Sequence, residues 1–172
     1  CELIGVDSII TDVEMPLVAL KALSEAGIKN LSVDLTVPTL ITHLYEGTDT
    51  NAGMRETLDD LIEKRDRDAI AAIDSRVTSL IVQLMDQGDL SQVSLPHKAK
   101  ADADKLLTVA QDLRTALDVY GLFDVQITID PLERRGFEYQ TGLSFTLFAQ
   151  GASGELGRGG RYDVDGRGLT KT

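Results

Sequence analysis

The segment that most constrains the fold lies near the C-terminal end of the chain, at residues 135–148. Successive side chains on a β-strand point to opposite faces of the sheet. After the first member, the odd positions are mostly large and apolar: Arg135, Phe137, Tyr139, Thr141, Leu143, Phe145 and Leu147. The even positions are mostly small or polar: Gly136, Glu138, Gln140, Gly142, Ser144, Thr146 and Phe148. The pattern predicts a strand with one face toward a core and a polar face that either leaves room for a ligand or is solvated.

The residues before this segment predict a mostly helical scaffold. Thr11 and Glu14 have the spacing of a capping box, which predicts a helix that continues to Ala26. Apolar residues at helical spacing predict further helices, at about 38–46, 66–74, 76–87 and 99–120. Alternating apolar residues predict strands at 31–35 and 125–129.

This order of elements predicts an α+β fold, because most of the helices come first and antiparallel strands follow. The chain is interpreted as a single domain over residues 1–172. Its helical part is expected at about 7–120 and its strand-rich part at about 123–164.

The charge balance argues against a nucleic-acid-binding surface spread over this chain. The 172 residues contain 17 Lys and Arg against 28 Asp and Glu, which gives a net charge of −11. Binding to phosphates needs clustered cations. A local basic patch is still compatible with the sequence, because five arginines lie in its last forty residues: Arg134, Arg135, Arg158, Arg161 and Arg167.

The sequence also bears on where the chain is expected to reside. No apolar run reaches the ~18 residues of a membrane-spanning helix, and residues 1–20 lack the basic start of a signal peptide. The single cysteine, Cys1, fits a reducing compartment. A cytoplasmic location without membrane association is therefore expected. Because the chain starts without Met and ends in a small polar tail, it is expected to be part of a longer protein.

The sequence gives no sign of a metal or cofactor site. His43 and His97 are far apart and neither lies at diagnostic spacing from another metal ligand. His43 is interpreted as a helix-surface or core-edge residue, and His97 as an exposed loop residue. No metal and no cofactor are expected. Solvated helix faces are the simplest interpretation of the acidic residues Asp59, Asp60, Asp102 and Asp104.

Two motifs resemble the histidine-specific motifs of histidyl-tRNA synthetases and their paralogues. The family pattern R-G-(apolar)-D-Y-Y-T-G-x-x-F-E corresponds here to residues 135–146, and G-G-R-Y-D corresponds to residues 159–163. Residues 1–5 are similar to the segment after the second class-defining motif, whose glutamate contacts the bound amino acid. The resemblance covers nearly the whole chain but only the middle of a full-length member. It implies a class II aminoacyl-tRNA synthetase-like catalytic fold, an antiparallel sheet flanked by helices, which is incomplete in this chain.

The resemblance implies a histidine-like ligand pocket. In it, glutamates would meet cationic groups, Arg135 would meet a carboxylate, and tyrosines would supply ring faces or hydroxyls. The pocket residues that the resemblance implies are Glu2, Arg135, Glu138, Tyr139, Gln140, Gly159, Gly160 and Tyr162.

Three departures from the synthetase pattern favour a paralogue without catalytic activity. Gln140 replaces the second Tyr of D-Y-Y, Glu138 replaces its Asp, and Thr146 replaces the final Glu. A site built to hydrogen-bond one substrate tolerates such changes poorly. The resemblance therefore implies a regulatory subunit of ATP phosphoribosyltransferase, needed for activity and for histidine feedback at the first step of histidine biosynthesis. No catalytic residue is assigned. A divergent histidyl-tRNA synthetase that activates histidine with ATP is the alternative.

The same resemblance implies partners. They are the short-form catalytic subunit of ATP phosphoribosyltransferase, histidine as a small ligand, and a second copy of the chain in a homodimer within a hetero-oligomer, with no tRNA. The arginine of the second class-defining motif and the whole third motif, which hold ATP in the family, are not found in these residues. This chain is therefore not expected to hold ATP in the synthetase manner.

Overall fold

A computed structural model describes residues 1–86, 89–134, 140–164 and 169–171. The helices are α1 (Ile9–Glu25), α2 (Thr39–Gly47), α3 (Ala52–Glu63), α4 (Arg67–Ala71), α5 (Arg76–Asp86) and α6 (His97–Val119), with a 3₁₀ turn at Leu90–Gln92. The strands are β1 (Leu31–Thr36), β2 (Gln126–Ile129), β3 (Gln140–Ala149), β4 (Gly157–Val164) and β5 (Leu169–Lys171).

The five strands form one sheet in the order β2-β1-β3-β4-β5. β1 pairs antiparallel with β3 and parallel with β2, so that Val33 lies between Leu147 and Ile127. The β3–β4 and β4–β5 pairs are antiparallel. Parallel neighbours need a long crossover connection, and here helices α2 to α6 supply it. The predicted α+β class is confirmed, and the sheet contains one parallel pair beside the antiparallel strands that the sequence predicts.

The core lies between the helices and one face of the sheet. Helix α6 contributes the stripe that the sequence predicts, in which Leu106, Leu113 and Leu117 have no exposed area and Ala110 is partly buried. Tyr120, which continues the predicted stripe, is 57% exposed because α6 ends one residue before it. Gly121 follows with a φ of +72°, a left-handed value that suits glycine after a helix end.

Two helix starts differ from the prediction. Helix α1 begins at Ile9, because Ser8 and not Thr11 is its N-cap, and the Ser8 hydroxyl accepts a hydrogen bond from the Thr11 amide at 3.4 Å. His97 is the first residue of α6 rather than part of the preceding loop. None of the helices in the described part of the chain combines the length and the apolar character that a membrane span requires.

Two aspartates predicted to be solvated instead join separate elements. The Asp102 carboxylate on α6 lies 2.7 Å from His43 Nδ1 and accepts a hydrogen bond from Thr39 Oγ1 at 3.0 Å, both on α2. The Asp59 carboxylate on α3 accepts from the Tyr45 hydroxyl at 2.7 Å and from Arg134 Nη1 at 2.5 Å. Both side chains are partly buried, with 17% of Asp102 and 39% of Asp59 exposed, so neither is simply solvated. The neighbouring Asp60 and Asp104 are exposed and pair only locally, with Lys64 and Lys100.

Asp34 on β1 leads to a prediction about pH. Burial raises the pKa of the Asp34 carboxyl, and the hydrogen bond that Thr128 Oγ1 donates to it at 3.0 Å offsets only part of that rise. A raised pKa means that the folded state binds this proton more tightly than the unfolded state. The ionised carboxylate therefore costs stability above the folded pKa, and this cost disappears as the pH falls below the unfolded value.

We expect Asp34→Asn to raise the melting temperature at neutral pH, since asparagine keeps an acceptor for Thr128 and removes a partly buried charge. Thermal unfolding followed by circular dichroism should show the gain at about pH 8 and its loss toward about pH 4, near the ordinary carboxyl pKa. Asp104→Asn is the control at an exposed carboxylate. A melting temperature at pH 8 below that of the wild-type protein would contradict the assignment.

Candidate ligand pocket

The N-terminal segment and strand β4 meet at a direct hydrogen bond. The Tyr162 hydroxyl donates to Glu2 Oε1 at 2.7 Å, although the two residues are 160 positions apart in sequence. Glu2 is exposed and Tyr162 is half-buried. The structure thus brings together two residues that only the family resemblance had placed in the same pocket.

A buried polar pair lies beside this contact on strand β3. In the sheet register, Gln140 lies opposite Tyr162 and Ser144 lies opposite Gly160, with an irregularity between the two pairs. Cross-strand partners share a face of the sheet. The Ser144 hydroxyl donates to Gln140 Oε1. Ser144 has no exposed area and Gln140 is 6% exposed, so this polar face is not simply solvated at these positions.

Gly160 is required by the close approach of that polar pair. A Cβ atom at Gly160 would overlap Gln140 Oε1 and would lie 2.7 Å from Ser144 Oγ. Gly159 points to the other face, where a Cβ would lie 2.5 Å from the Phe145 ring. The two predicted glycines therefore serve different faces, with Gly160 under the polar pair and Gly159 under a core aromatic ring.

A cavity of about 500 Å³ lies next to these groups, between α1 and the β3–β4 pair. This volume suits a small-molecule ligand. Five of the predicted pocket residues line it, namely Glu2, Gln140, Gly159, Gly160 and Tyr162. The rest of the wall is mostly apolar, with residues such as Met15, Ala19, Leu23, Leu147 and Leu156, and it includes Arg158. The other three predicted pocket residues, Arg135, Glu138 and Tyr139, lie outside the described residues.

Arg161 forms a buried network that the sequence did not predict. It is 3% exposed, and its Nε and Nη2 atoms donate to Asp12 Oδ1 at 2.9 and 2.8 Å. Nη2 also donates to Thr11 Oγ1 at 2.7 Å. The same guanidinium reaches the backbone oxygens of Val6 at 3.2 Å and Ser8 at 3.1 Å. One side chain of β4 thereby contacts residues 6–8, which lead into α1, as well as the first turn of that helix.

Asp12 is the anionic centre of this network. It has no exposed area, and its Oδ2 atom lies 2.8 Å from Lys105 Nζ on α6. Buried charges persist when they are paired and hydrogen-bonded. Strand alternation offered a signal for this network, since Arg161 follows Gly160 and precedes Tyr162 and must point away from their face.

The local basic patch that the sequence left open does not form among the described arginines. Arg161 is buried, Arg158 lies 2.6 Å from Glu155, and Arg134 lies 2.5 Å from Asp59. Each of these cations therefore has an acidic neighbour. Where the chain is described, no group of three or more His, Cys, Asp or Glu side chains could hold a metal ion.

Comparison with known proteins places the chain in a family. The family model for histidyl-tRNA synthetase matches residues 1–170. The chain is 41% identical over 179 residues to an ATP phosphoribosyltransferase regulatory subunit from Rhodospirillum centenum, covering 99% of this chain and 45% of that protein. It is 37% identical to the subunit of the same name from Rhodospirillum rubrum, covering 95% of this chain and 44% of that protein. The chain thus spans less than half the length of these relatives.

Solved structures agree on the fold. A chain of the ATP phosphoribosyl transferase (HisG:HisZ) complex from Thermotoga maritima superposes with a TM-score of 0.78 at 20% identity, covering 99% of this chain and 61% of that chain. Histidyl-tRNA synthetase from Nostoc sp. PCC 7120 superposes with a TM-score of 0.75 at 18% identity, covering 99% of this chain and 46% of that one. The predicted class II synthetase-like fold is confirmed. With the family model matched over nearly every residue and the fold in agreement, the chain belongs to the histidyl-tRNA synthetase family.

Proposed function

We propose that this chain is the middle part of a regulatory subunit of ATP phosphoribosyltransferase. The subunit catalyses no reaction itself. It is needed for the activity of ATP phosphoribosyltransferase and for its feedback inhibition by histidine, at the first step of histidine biosynthesis. The observation that carries the proposal is the 41% identity, over 99% of the chain, to a curated protein of that name. Residues 1–172 form part of a single class II synthetase-like domain in this proposal.

The pocket geometry supports a role in ligand binding rather than catalysis. Gln140 stands where the synthetase motif has a tyrosine, and its amide oxygen already accepts the Ser144 hydroxyl. A catalytic pocket that must discriminate one substrate keeps its polar groups available for that substrate. The Gln140 side chain also lacks the ring and the hydroxyl of the motif tyrosine, which favours the regulatory function over the divergent synthetase.

Histidine is the proposed ligand, and the predicted pocket residues divide its recognition between them. Glu2 and Glu138 meet its cationic groups, Arg135 meets its carboxylate, and Tyr139, Gln140 and Tyr162 line the pocket with Gly159 and Gly160. A ligand changes activity only through different affinities for two states of the assembly. Histidine would therefore bind one state of the complex with the short-form catalytic subunit more tightly than the other.

The assembly has further proposed properties. The Thermotoga maritima neighbour belongs to a two-component complex, HisG:HisZ, which supports a catalytic partner for this chain. A homodimer within the hetero-oligomer, a cytoplasmic location and the absence of tRNA binding complete the proposal.

The test uses the full-length protein mixed with the short-form catalytic subunit. We expect the rate of phosphoribosyl transfer to rise on mixing and the two proteins to co-elute. We also expect histidine to inhibit the complex, by changing its affinity for substrate by a factor in the usual allosteric range of about 5–150. Absence of both stimulation and co-elution would overturn the regulatory function. Histidine-dependent exchange of pyrophosphate into ATP by the protein alone would favour the synthetase instead.

A further inference from the structure

We propose that Arg161 is a positioning residue that sets ligand affinity from outside the pocket, by fixing the N-terminal segment that carries Glu2. The inference rests on the proposed histidine pocket. It assigns to Arg161 a role distinct from ligand contact, since Arg161 does not line the cavity and its guanidinium donates to Asp12 at the start of α1.

The first step of the argument is the completeness of the Arg161 network. The guanidinium bonds two side chains at the start of α1, Asp12 and Thr11, and the backbone oxygens of Val6 and Ser8. A planar guanidinium presents its donors in a fixed fork, and a lysine cannot satisfy the same set of acceptors. The network therefore depends on arginine in particular, and not only on a positive charge.

The second step is the short path from this network to the pocket. Val6, which Arg161 holds through its carbonyl oxygen, lies four residues after Glu2. Tyr162 directly follows Arg161 on β4 and donates to Glu2. Adjacent strand residues point to opposite faces, so one strand fixes the N-terminal segment on one face and meets its glutamate on the other.

The third step is the role of Lys105 on α6. Its ammonium lies 2.8 Å from Asp12 Oδ2, while Arg161 occupies Oδ1. With both oxygens of Asp12 held by cations from different elements, the start of α1 is fixed against β4 and α6 together. The two cations compensate the buried negative charge of Asp12, so that Asp12 can fix the position of the segment before α1.

The experiment is a double-mutant cycle in the full-length protein, with histidine affinity measured by titration calorimetry. Arg161→Lys and Glu2→Ala are each expected to weaken histidine binding by about tenfold, as expected for loss of a charged hydrogen-bonding group. Because Arg161 acts through Glu2, the double variant should bind no more weakly than Glu2→Ala alone. Wild-type affinity in Arg161→Lys, or single effects that multiply in the double variant, would overturn the proposal.

Arg114→Lys is the matched control. Arg114 on α6 also joins an aspartate and two backbone oxygens, with Nε donating to Asp118 at 2.9 Å, Nη1 to Val125 at 2.7 Å and Nη2 to Leu122 at 2.9 Å. It does not line the pocket cavity. We expect Arg114→Lys to lower the melting temperature while histidine affinity changes by less than about twofold.

A second measurement needs no ligand. Amide hydrogen exchange at residues 2–8 should be faster in Arg161→Lys than in the wild type, and unchanged in Arg114→Lys, because faster exchange reports local opening. Unchanged exchange in Arg161→Lys would overturn the positioning role. Faster exchange in a protein whose wild-type form does not bind histidine would contradict the proposed function and leave the positioning role standing.

Discussion

Asp12→Ala is expected to be the most destabilising single substitution among the charged residues that the structure describes. It leaves the partly buried Lys105 without the anion that it shares with Arg161, and it leaves Arg161, 3% exposed, with the exposed Asp7 at 3.1 Å as its remaining acidic neighbour. Breaking a buried ion pair by removing one partner costs about 3–5 kcal/mol. For a chain of this size each kcal/mol lowers the melting temperature by about 2–4 °C, so a fall on the order of 10 °C is expected.

Thermal unfolding of the full-length variant by calorimetry is the measurement. The control is Asp104→Ala. Asp104 is exposed and lies 2.9 Å from Lys100, which is also on α6, and exposed ion pairs contribute about 0–1 kcal/mol to stability. Asp12→Asn should fall between the two, because the amide oxygen still accepts a hydrogen bond from Arg161. If Asp12→Ala melts within the range of the Asp104 control, the network does not stabilise the fold.

Gly160→Ala is expected to have the second-largest effect, and to act on both stability and ligand binding. The added methyl group would coincide with the Gln140 carboxamide and press on the Ser144 hydroxyl. Gln140 must then leave its place, which breaks its hydrogen bond with Ser144 and leaves buried polar atoms unpaired. An unsatisfied buried polar group costs about 1–3 kcal/mol, and the displaced carboxamide would narrow the cavity.

The measurements are melting temperature and histidine affinity, both compared with Gly154→Ala in the loop between β3 and β4. A Cβ atom at Gly154 has no neighbour within 4 Å, and Gly154 does not line the cavity, so this control adds the same methyl group without a clash. We expect affinity to fall about tenfold in Gly160→Ala, in line with about 1.4 kcal/mol, and to change little in Gly154→Ala. Equal behaviour of the two variants would exclude the close packing of Gln140 over Gly160 as a determinant of the pocket.

The sequence predicted the elements better than their contacts. The buried stripe of α6 and the alternation of β1 are local patterns, and local periodicity determines which face is apolar. By contrast, Asp59 meets Arg134 across 75 positions and Asp102 meets His43 across 59. Periodicity identifies both aspartates as polar helix positions, but it does not tell which polar residue of another element will lie opposite.

The same distinction between local patterns and distant contacts applies to the residues of the pocket. Glu2 came from the family resemblance alone, because no local pattern connects it with Tyr162. The polar face of β3 was visible from alternation, yet the burial of Gln140 and Ser144 depends on the register with β4, including an irregularity that the sequence does not specify. Arg161 was visible as a motif residue, but its partner Asp12 lies 149 positions away and was interpreted only as part of a helix start.

The position of β1 between β2 and β3 in the sheet has a consequence for synthesis on the ribosome. In the sheet, Asp34 of β1 is paired with Thr128 of β2, which is 94 residues later in the chain. The other strand that pairs with β1, β3, is synthesised later still. Closing such long loops is slow, since their entropy is lost before the strands pair. During translation β1, with the apolar side chains of Leu31, Val33 and Leu35, is therefore unpaired until β2 and β3 have been synthesised. A nascent chain that stalls before β2 exposes both edges of β1 and is prone to aggregate.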